Sequence, residues 1–442
     1  MADLLELSRR MIDEGDGPDG GTEGGLGPVN RVNLELSEIA DGLAMVESFS
    51  HVVAFDSGDG LVLFDASLGA FGPAVVEAVR GWRTDPVDTL IYTHGHVDHV
   101  GGAGAFLADG DERGHRRPTI VGHEDIPARF DRYDLTNGYN AVINERQFGG
   151  TGLTGSDAIG FPRNWVRPSV TYRDQMQLKV GDLDLELHHS RGETDDHTWT
   201  WIPSRRAVCV GDLLIWVFPN AGNPQKVQRY PLDWARALRR IAALEPELLL
   251  PAHGLPIGGR DRIHTVLDDV ATALETVVAQ TLDLMNAGAP LDEIVHTVRV
   301  PDALLAKPYL QPTYDEPEFV VRNIWRMYGG WYDGNPSRLK PPPDAHVAVE
   351  TAALAGGAAV LARRALELAD AGDFRLACHF VELAAQADPD DVEIQRARAD
   401  VYDRRRHDER SLMAKGIFGW AARQSTTSVS ALLGPGEREP GT

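Results

Sequence analysis

From Val32 to Ala66 the apolar positions recur in short strand-like runs, and HVVAFDSGDGLVLFDAS sets two of them around Gly58-Asp59-Gly60. That pairing predicts a β-hairpin. Pro73 to Trp82 has helical spacing, VDTLIYT (87–93) is a short buried strand, and Val100 to Leu107 turns helical again. PTIVGHEDI (118–126) is a strand running into a loop. The stretch from Asp131 to about Ser169 has weak periodicity and is rich in Gly, Asn and aromatic residues, which predicts an insertion beside a site more than a second core. Strand patterns resume at MQLKVGDLDLELHHS, TWTWIP and RAVCVGD, followed by a helix over Pro231–Leu244 and the strand LLLPAHG. Strands, helices, then the same theme again predict an α/β domain of two packed sheets flanked by helices over residues 31–260.

Beyond Arg262 the pattern is helical. GAAVLARRALELADAGDFRLACHFVELAAQADPDDVEIQRARADVYDRRR reads as three helices, and the spacing of Ala365, Gly372, Ala377, Ala384 and Pro389 is that of one tetratricopeptide-like hairpin. A single such unit cannot bury its own apolar face, so it is expected to pack against something else. The chain therefore divides into a flexible segment 1–30 ending in GPDGGTEGGLGP, a catalytic domain 31–260, an all-α domain 261–410, and a partly disordered tail 411–442.

Composition narrows the functional classes. No apolar stretch approaches the roughly 20 residues needed to span a bilayer, so no stable membrane insertion is expected. The N-terminus lacks an apolar signal core, which makes the cytoplasm the expected location. A formal net charge of −23 disfavours nucleic acid as a partner. The short run at 404–406 has acids on both sides and reads as a solvated helix face. Cys209 and Cys378 lie far apart among apolar neighbours and read as core thiols.

The densest chemistry follows VDTLIYT: Thr93-His94-Gly95-His96-Val97-Asp98-His99-Val100-Gly101-Gly102. His94 and His96, two apart, can turn their imidazoles to one side, while Asp98 and His99 can reach a second centre. One loop cannot close two sites, so further ligands must come from other strand ends. Three segments qualify: Ser190-Arg191-Gly192-Glu193-Thr194-Asp195-Asp196-His197, Gly211-Asp212, and His253 in PAHG.

The order H-x-H-x-D-H, a G-x-T-x-x-H turn, Gly-Asp and a final His resembles the metallo-β-lactamase superfamily, whose fold is an αββα sandwich. The resemblance implies two metal ions per chain, most simply zinc. His94, His96 and Glu193 would hold one, Asp98, His99 and His253 the other, with Asp212 between them. Asp98 and His197 are then the candidate catalytic side chains, His197 orienting the site from behind. The departure is Glu193, where the superfamily has His; were it only a surface acid, His189 or His197 would replace it. With Glu193 in place, two dications, three carboxylates and a hydroxide sum to about zero charge. An anionic substrate would then need Arg146, Lys226 or Arg229.

A carboxylate at that turn resembles the alkyl-sulfatase branch. So does Tyr139-Asn140-Ala141-Val142-Ile143-Asn144-Glu145-Arg146-Gln147-Phe148-Gly149, which is similar to that branch's substrate-pocket segment and adds Asn140 to the candidate contacts. VRNIWRMYGGWYDGNP (321–336) and the helical hairpin are similar to its dimerisation domain, which implies a homodimer. Two features depart from it: Asp212 stands where that branch has Glu, and no segment resembles its C-terminal sterol-carrier-like domain. The expectation is a binuclear hydrolase of alkyl sulfate esters, acting on a small anionic ester through a metal-bridging hydroxide. The alternatives are a hydrolase of a lactone, thioester or phosphodiester with the same site, and a non-hydrolytic iron redox protein.

Overall fold

A computed structural model describes residues 3–15, 31–149, 161 and 164–433. The Gly-rich stretch before Val29, most of the segment between Gly149 and Trp165, and the residues after Leu433 lie outside it. The chain forms two compact units, residues 1–141 with 160–330, and residues 142–159 with 331–442.

The first unit holds two mixed sheets. One contains β1 (Leu36–Ala40), β2 (Leu43–Val46), β3 (Val52–Asp56), β4 (Leu61–Phe64), β5 (Val87–Ile91), β6 (Thr119–His123) and β7 (Val170–Tyr172) in sequential order. Its first four strands form an antiparallel meander, and β4 to β7 run parallel. The hairpin around Gly58-Asp59-Gly60 pairs Phe55 with Val62 and Asp56 with Leu61. The other sheet contains β8 (Gln175–Val180), β9 (Leu183–His189), β10 (Thr198–Ile202), β11 (Ala207–Gly211), β12 (Leu248–Pro251) and β13 (Ile257–Gly258), with only β11 and β12 parallel.

Alternation along the strands explains the layering. Val53, Phe55, Val62 and Phe64 join Leu185, Leu187, Val208 and Val210 in the core of the sandwich. Val52, Ala54, Leu61 and Leu63 face the opposite way, toward Val75, Val79 and Phe106. Strands buried on both faces read as continuous apolar runs, which is why the β3–β4 hairpin was so legible.

Helices α1 (Leu4–Asp13), α2 (Gly72–Trp82), α3 (Val97–Val100), α4 (Ala103–Glu112), α5 (Ile126–Leu135), α6 (Asn137–Phe148), α7 (Pro231–Ala242), α8 (Arg260–Asn286), α9 (Leu291–Thr297), α10 (Asp302–Leu305) and α11 (Pro317–Gly329) follow in chain order. Pro231 opens α7, where its missing N–H costs nothing, and Trp234, Leu238 and Ile241 at helical spacing turn inward. Two expectations differ from this structure. Leu4–Asp13, read as part of a flexible segment, is a helix capped by Asp3 and anchored through buried Leu4 and Met11. The region after Asp131, read as irregular, is helical up to Phe148; Tyr139 and Val142 are exposed there, so its apolar residues mark no single face.

The second unit contains α12 (Asp344–Ala355), α13 (Ala358–Asp370), α14 (Phe374–Ala387), α15 (Val392–Asp408) and α16 (Leu412–Leu433). Gly372, at φ +80°, ends α13, and Asp373 accepts from the Leu376 N–H to start α14. Ala365, Ala377, Val381, Ala384 and Val401 form its small-residue core. Val347, Val349 and Leu354 of α12 remain exposed. Helix α16 occupies much of the stretch expected as a partly disordered tail. Among the described residues, no single helix is long and apolar enough to cross a membrane.

Candidate metal centre

The His-rich loop leaves the C-terminal end of β5, and the segments that follow β4, β9, β11 and β12 meet it. Asp65, directly after β4, takes a left-handed backbone (φ +62°), a costly conformation for a residue other than glycine. Its carboxylate accepts from the Thr93 N–H and the Thr93 hydroxyl, both at 2.7 Å, and lies 2.7 Å from His99 Nδ1. His99 Nε2 is thereby left for the centre. Gly101 and Gly102 permit close packing: a Cβ at Gly102 would lie 2.0 Å from the Ala66 carbonyl oxygen. The Gly95 N–H, between the two histidines, donates to Asp196 Oδ2 at 3.2 Å.

Seven side chains converge in two groups whose ligand atoms lie within 4.8 Å of one another: His94, His96, Glu193 and Asp212, then Asp98, His99 and His253. His94 Nε2 faces His96 Nδ1 at 2.8 Å, and His96 Nδ1 lies 3.7 Å from Glu193 Oε1. In the other group Asp98 Oδ2 lies 3.3 Å from His253 Nε2 and 3.6 Å from His99 Nε2. Asp212 Oδ2 belongs to both neighbourhoods, at 3.8 Å from His94 Nε2, 3.4 Å from His99 Nε2 and 3.6 Å from His253 Nε2.

Two of the four histidines are held in the state a cation needs, while His99 and His253, which burial would lower but Asp212 and Asp98 push above the usual imidazole value, would release a proton on binding one. Burial holds the His94 and His96 imidazoles well below their usual pKa, so each carries a lone pair at neutral pH. Burial would raise Asp212, but His99 and His253 hold it below the carboxylate range. Burial pushes Glu193 well above that range, Arg229 opposing and Asp212 and Asp98 adding to it. Among the described residues, His99 Nε2 and Asp212 Oδ1 are buried without a hydrogen-bond partner. Converging, unsatisfied nitrogen and oxygen donors are what a divalent cation satisfies, and zinc accepts this donor set.

Glu193 is buried, not a surface acid, which removes the reason to substitute His189 or His197 for it. His189 instead stacks on His123 at 3.9 Å and lies with Nδ1 3.0 Å from the His197 carbonyl oxygen. His197, held near a pKa of about 4 by burial, accepts from the Asp212 N–H at Nε2. It thus stands behind Asp212. Arg229 is buried, donating from Nη1 to the Glu193 carbonyl oxygen, with Nη2 3.3 Å from Glu193 Oε1. Lys226 is half-buried, its ammonium 6.0 Å from the Phe161 ring, and burial and Arg229 lower its pKa to about 8. Asn140 donates to the Thr136 hydroxyl one turn earlier. Arg146 groups with the second unit, its guanidinium 4.6 Å over the Trp420 ring.

Several residues escaped the motif reading. Arg129, buried on α5, donates from Nε to Asp196 Oδ2 at 2.6 Å and pairs with Asp195. Asn220 donates to Glu193 Oε1. Tyr314 is half-buried in the field of Glu193 and Asp98, which with burial raises its hydroxyl pKa. Only Asp65 left a signal, an acid at the carboxyl end of an apolar strand of the parallel part of the sheet, where such sheets place their sites.

Fold and site together define a metallo-beta-lactamase domain, and residues 45–253 match the metallo-beta-lactamase superfamily. Residues 290–428 match the alkyl sulfatase dimerisation family, so the chain joins a metallo-beta-lactamase domain to an alkyl sulfatase dimerisation domain. Its relatives include a linear primary-alkylsulfatase of Pseudomonas sp., 26% identical over 78% of this chain and 67% of that protein. An (R)-specific secondary-alkylsulfatase of Pseudomonas sp. is 23% identical over 89% of this chain and 62% of the relative. An alkyl/aryl-sulfatase of Saccharomyces cerevisiae is 23% identical over 80% and 56%. The solved structure of a stereoselective inverting sec-alkylsulfatase from Pseudomonas sp. shares the fold, with a TM-score of 0.79 at 21% identity over 91% of this chain and 67% of that one. The chain spans about two thirds of the length of these relatives or less.

Proposed function

We propose that this protein is a binuclear metallohydrolase of organic sulfate esters. His94, His96 and Glu193 would hold one divalent cation and Asp98, His99 and His253 the other, with Asp212 in reach of both and zinc the expected metal at two per chain. The supporting observation is the shared oxygen: Asp212 Oδ2 lies 3.4–3.8 Å from one histidine of the first group and two of the second. When bound, such a pair of cations supplies a hydroxide at neutral pH and polarises the ester oxygens.

The chain's own residues do the rest. Asp65 holds His99 by Nδ1, Asp196 holds the His94–His96 loop by the Gly95 N–H, and His197 holds Asp212 by its backbone amide. Of the three cationic candidates we assign Lys226, which lies in the electrostatic field of Asp98 and Glu193, to the ester's anionic group. The exposed apolar residues of α12 support a homodimer through the helical domain, and two unpaired thiols, Cys209 and Cys378, fit a cytoplasmic setting.

The test is a substrate panel. Zinc-loaded protein incubated with alkyl sulfates of graded chain length, lactones, thioesters and phosphodiesters should release inorganic sulfate from at least one sulfate ester. Turnover confined to another ester would transfer the same site to that chemistry.

A further inference from the structure

Between β11 and α7 the chain runs for nineteen residues, 212–230, without regular structure, yet this loop delivers Asn220, Lys226 and Arg229. So long a loop must be held from outside to place a side chain reproducibly. Asn323 of α11 does so. Its Nδ2 donates to the carbonyl oxygens of Ala221 at 2.9 Å and Arg229 at 3.0 Å, and its Oδ1 accepts from Gln228 Nε2 at 2.9 Å and the Arg229 N–H at 3.3 Å. Four bonds are the full capacity of a side-chain amide. Asp315, just before α11, accepts from the Gly222 N–H at 2.6 Å and the Asn223 N–H at 3.2 Å. A Cβ at Gly222 would lie 2.3 Å from the Val320 nitrogen, so the loop sits directly on the start of the helix.

Arg229, gripped at both its N–H and its carbonyl, spends its two terminal nitrogens on Glu193, while the Tyr230 N–H donates to the Gly192 carbonyl oxygen at 2.9 Å. Its Nε is buried. Both ends of the guanidinium fork are thus turned to Glu193. Glu193 has its own need for it. A carboxylate has more rotamers than an imidazole, and here it stands beside the carboxylate of Asp212, so it needs a fixed donor and an opposing charge to present an oxygen to a cation.

We propose that Asn323 is a positioning residue for the metal centre: it fixes the Arg229 backbone so that the guanidinium holds Glu193 as a ligand of the first cation. This rests on the two-cation reading above, and it takes Arg229 away from the substrate.

Cobalt(II) titration of the metal-free, full-length chain tests it, because each site gives its own ligand-field absorption. Wild type should take up two equivalents. Asn323→Ala and Arg229→Gln should weaken one of the two by about 10–100-fold, change its absorption and leave the other unchanged. Arg229→Lys, which keeps the charge without the fork, should fall between. Asn323→Asp, with a carboxylate facing the Ala221 and Arg229 carbonyls, should lose at least as much as Asn323→Ala. Wild-type affinity at both sites in Asn323→Ala and Arg229→Gln, with a raised KM for a sulfate ester, would overturn the proposal and make Arg229 a substrate anchor. A wild-type chain that binds no cobalt would sink the two-cation reading itself, before any variant is compared.

Discussion

Arg129→Met removes a cation from beneath the His-rich loop without changing the volume much. In the wild type the Arg129 side chain is 2% exposed and Asp196 is 0% exposed, joined at 2.6 Å. The same Asp196 oxygen accepts from the Gly95 N–H between His94 and His96. Methionine leaves a buried carboxylate with the Gly95 amide as a remaining donor. Breaking one side of a buried ion pair costs about 3–5 kcal/mol. In a domain of this size that lowers the unfolding temperature by about 6–15 °C. The pH dependence follows from Asp196. Burial would raise its pKa, but Arg129 holds it below the ordinary value. In the wild type its contribution is therefore present above the unfolded pKa and lost as pH falls through the folded one. Without Arg129 the main opposition to burial is gone and the folded pKa rises, so the variant loses stability as pH increases from the unfolded value to the folded one. The gap between the two proteins should widen as pH rises from about 4, the unfolded aspartate value, toward neutral in thermal unfolding of the metal-free chains. A gap below 1 kcal/mol at pH 8.5, or one that does not change with pH, would refute the reasoning.

Further outcomes follow from the same geometry. Chelation should abolish turnover and lower the unfolding temperature, because a cation bound only by the folded chain stabilises it, and zinc should restore both; retained turnover after complete metal removal would contradict this. With Lys226 cationic below its pKa of about 8, KM for an anionic sulfate ester should rise above pH 8 while a neutral ester shows no such limb. Lys226→Met should remove that limb, and an unchanged pH profile would exclude the contact. Replacing Val347 and Leu354 together by Glu should convert a dimer to a monomer in light scattering, since both are exposed apolar positions of α12; an unchanged mass would move the interface elsewhere.

The sandwich and the ligand set were legible because each left a local trace. Strands buried on both faces, as in LVLF and LLLP, give unbroken apolar runs, and His94, His96, Asp98 and His99 crowd one short loop. Glu193 was legible only by its place in a turn, and its burial was needed to separate it from a surface acid. The residues that hold the ligands were not legible. Asn323 is 94 positions from Arg229 and Arg129 is 67 from Asp196, separations at which no spacing rule applies. Arg229 shows the same limit from the other side: a cation near the anion was expected from the charge sum, but only the fold shows its terminal nitrogens on Glu193. The helical character of α6 was hidden because its exposed and buried apolar residues mark no stripe.

The most direct test measures sulfate release from a turned-over alkyl sulfate as metal-free protein is reloaded with zinc one fraction of an equivalent at a time. The account predicts that the rate reaches its plateau at two zinc ions per chain and that Asp212→Asn abolishes the rise. A plateau at one ion, or sulfate release that ignores zinc, would contradict it.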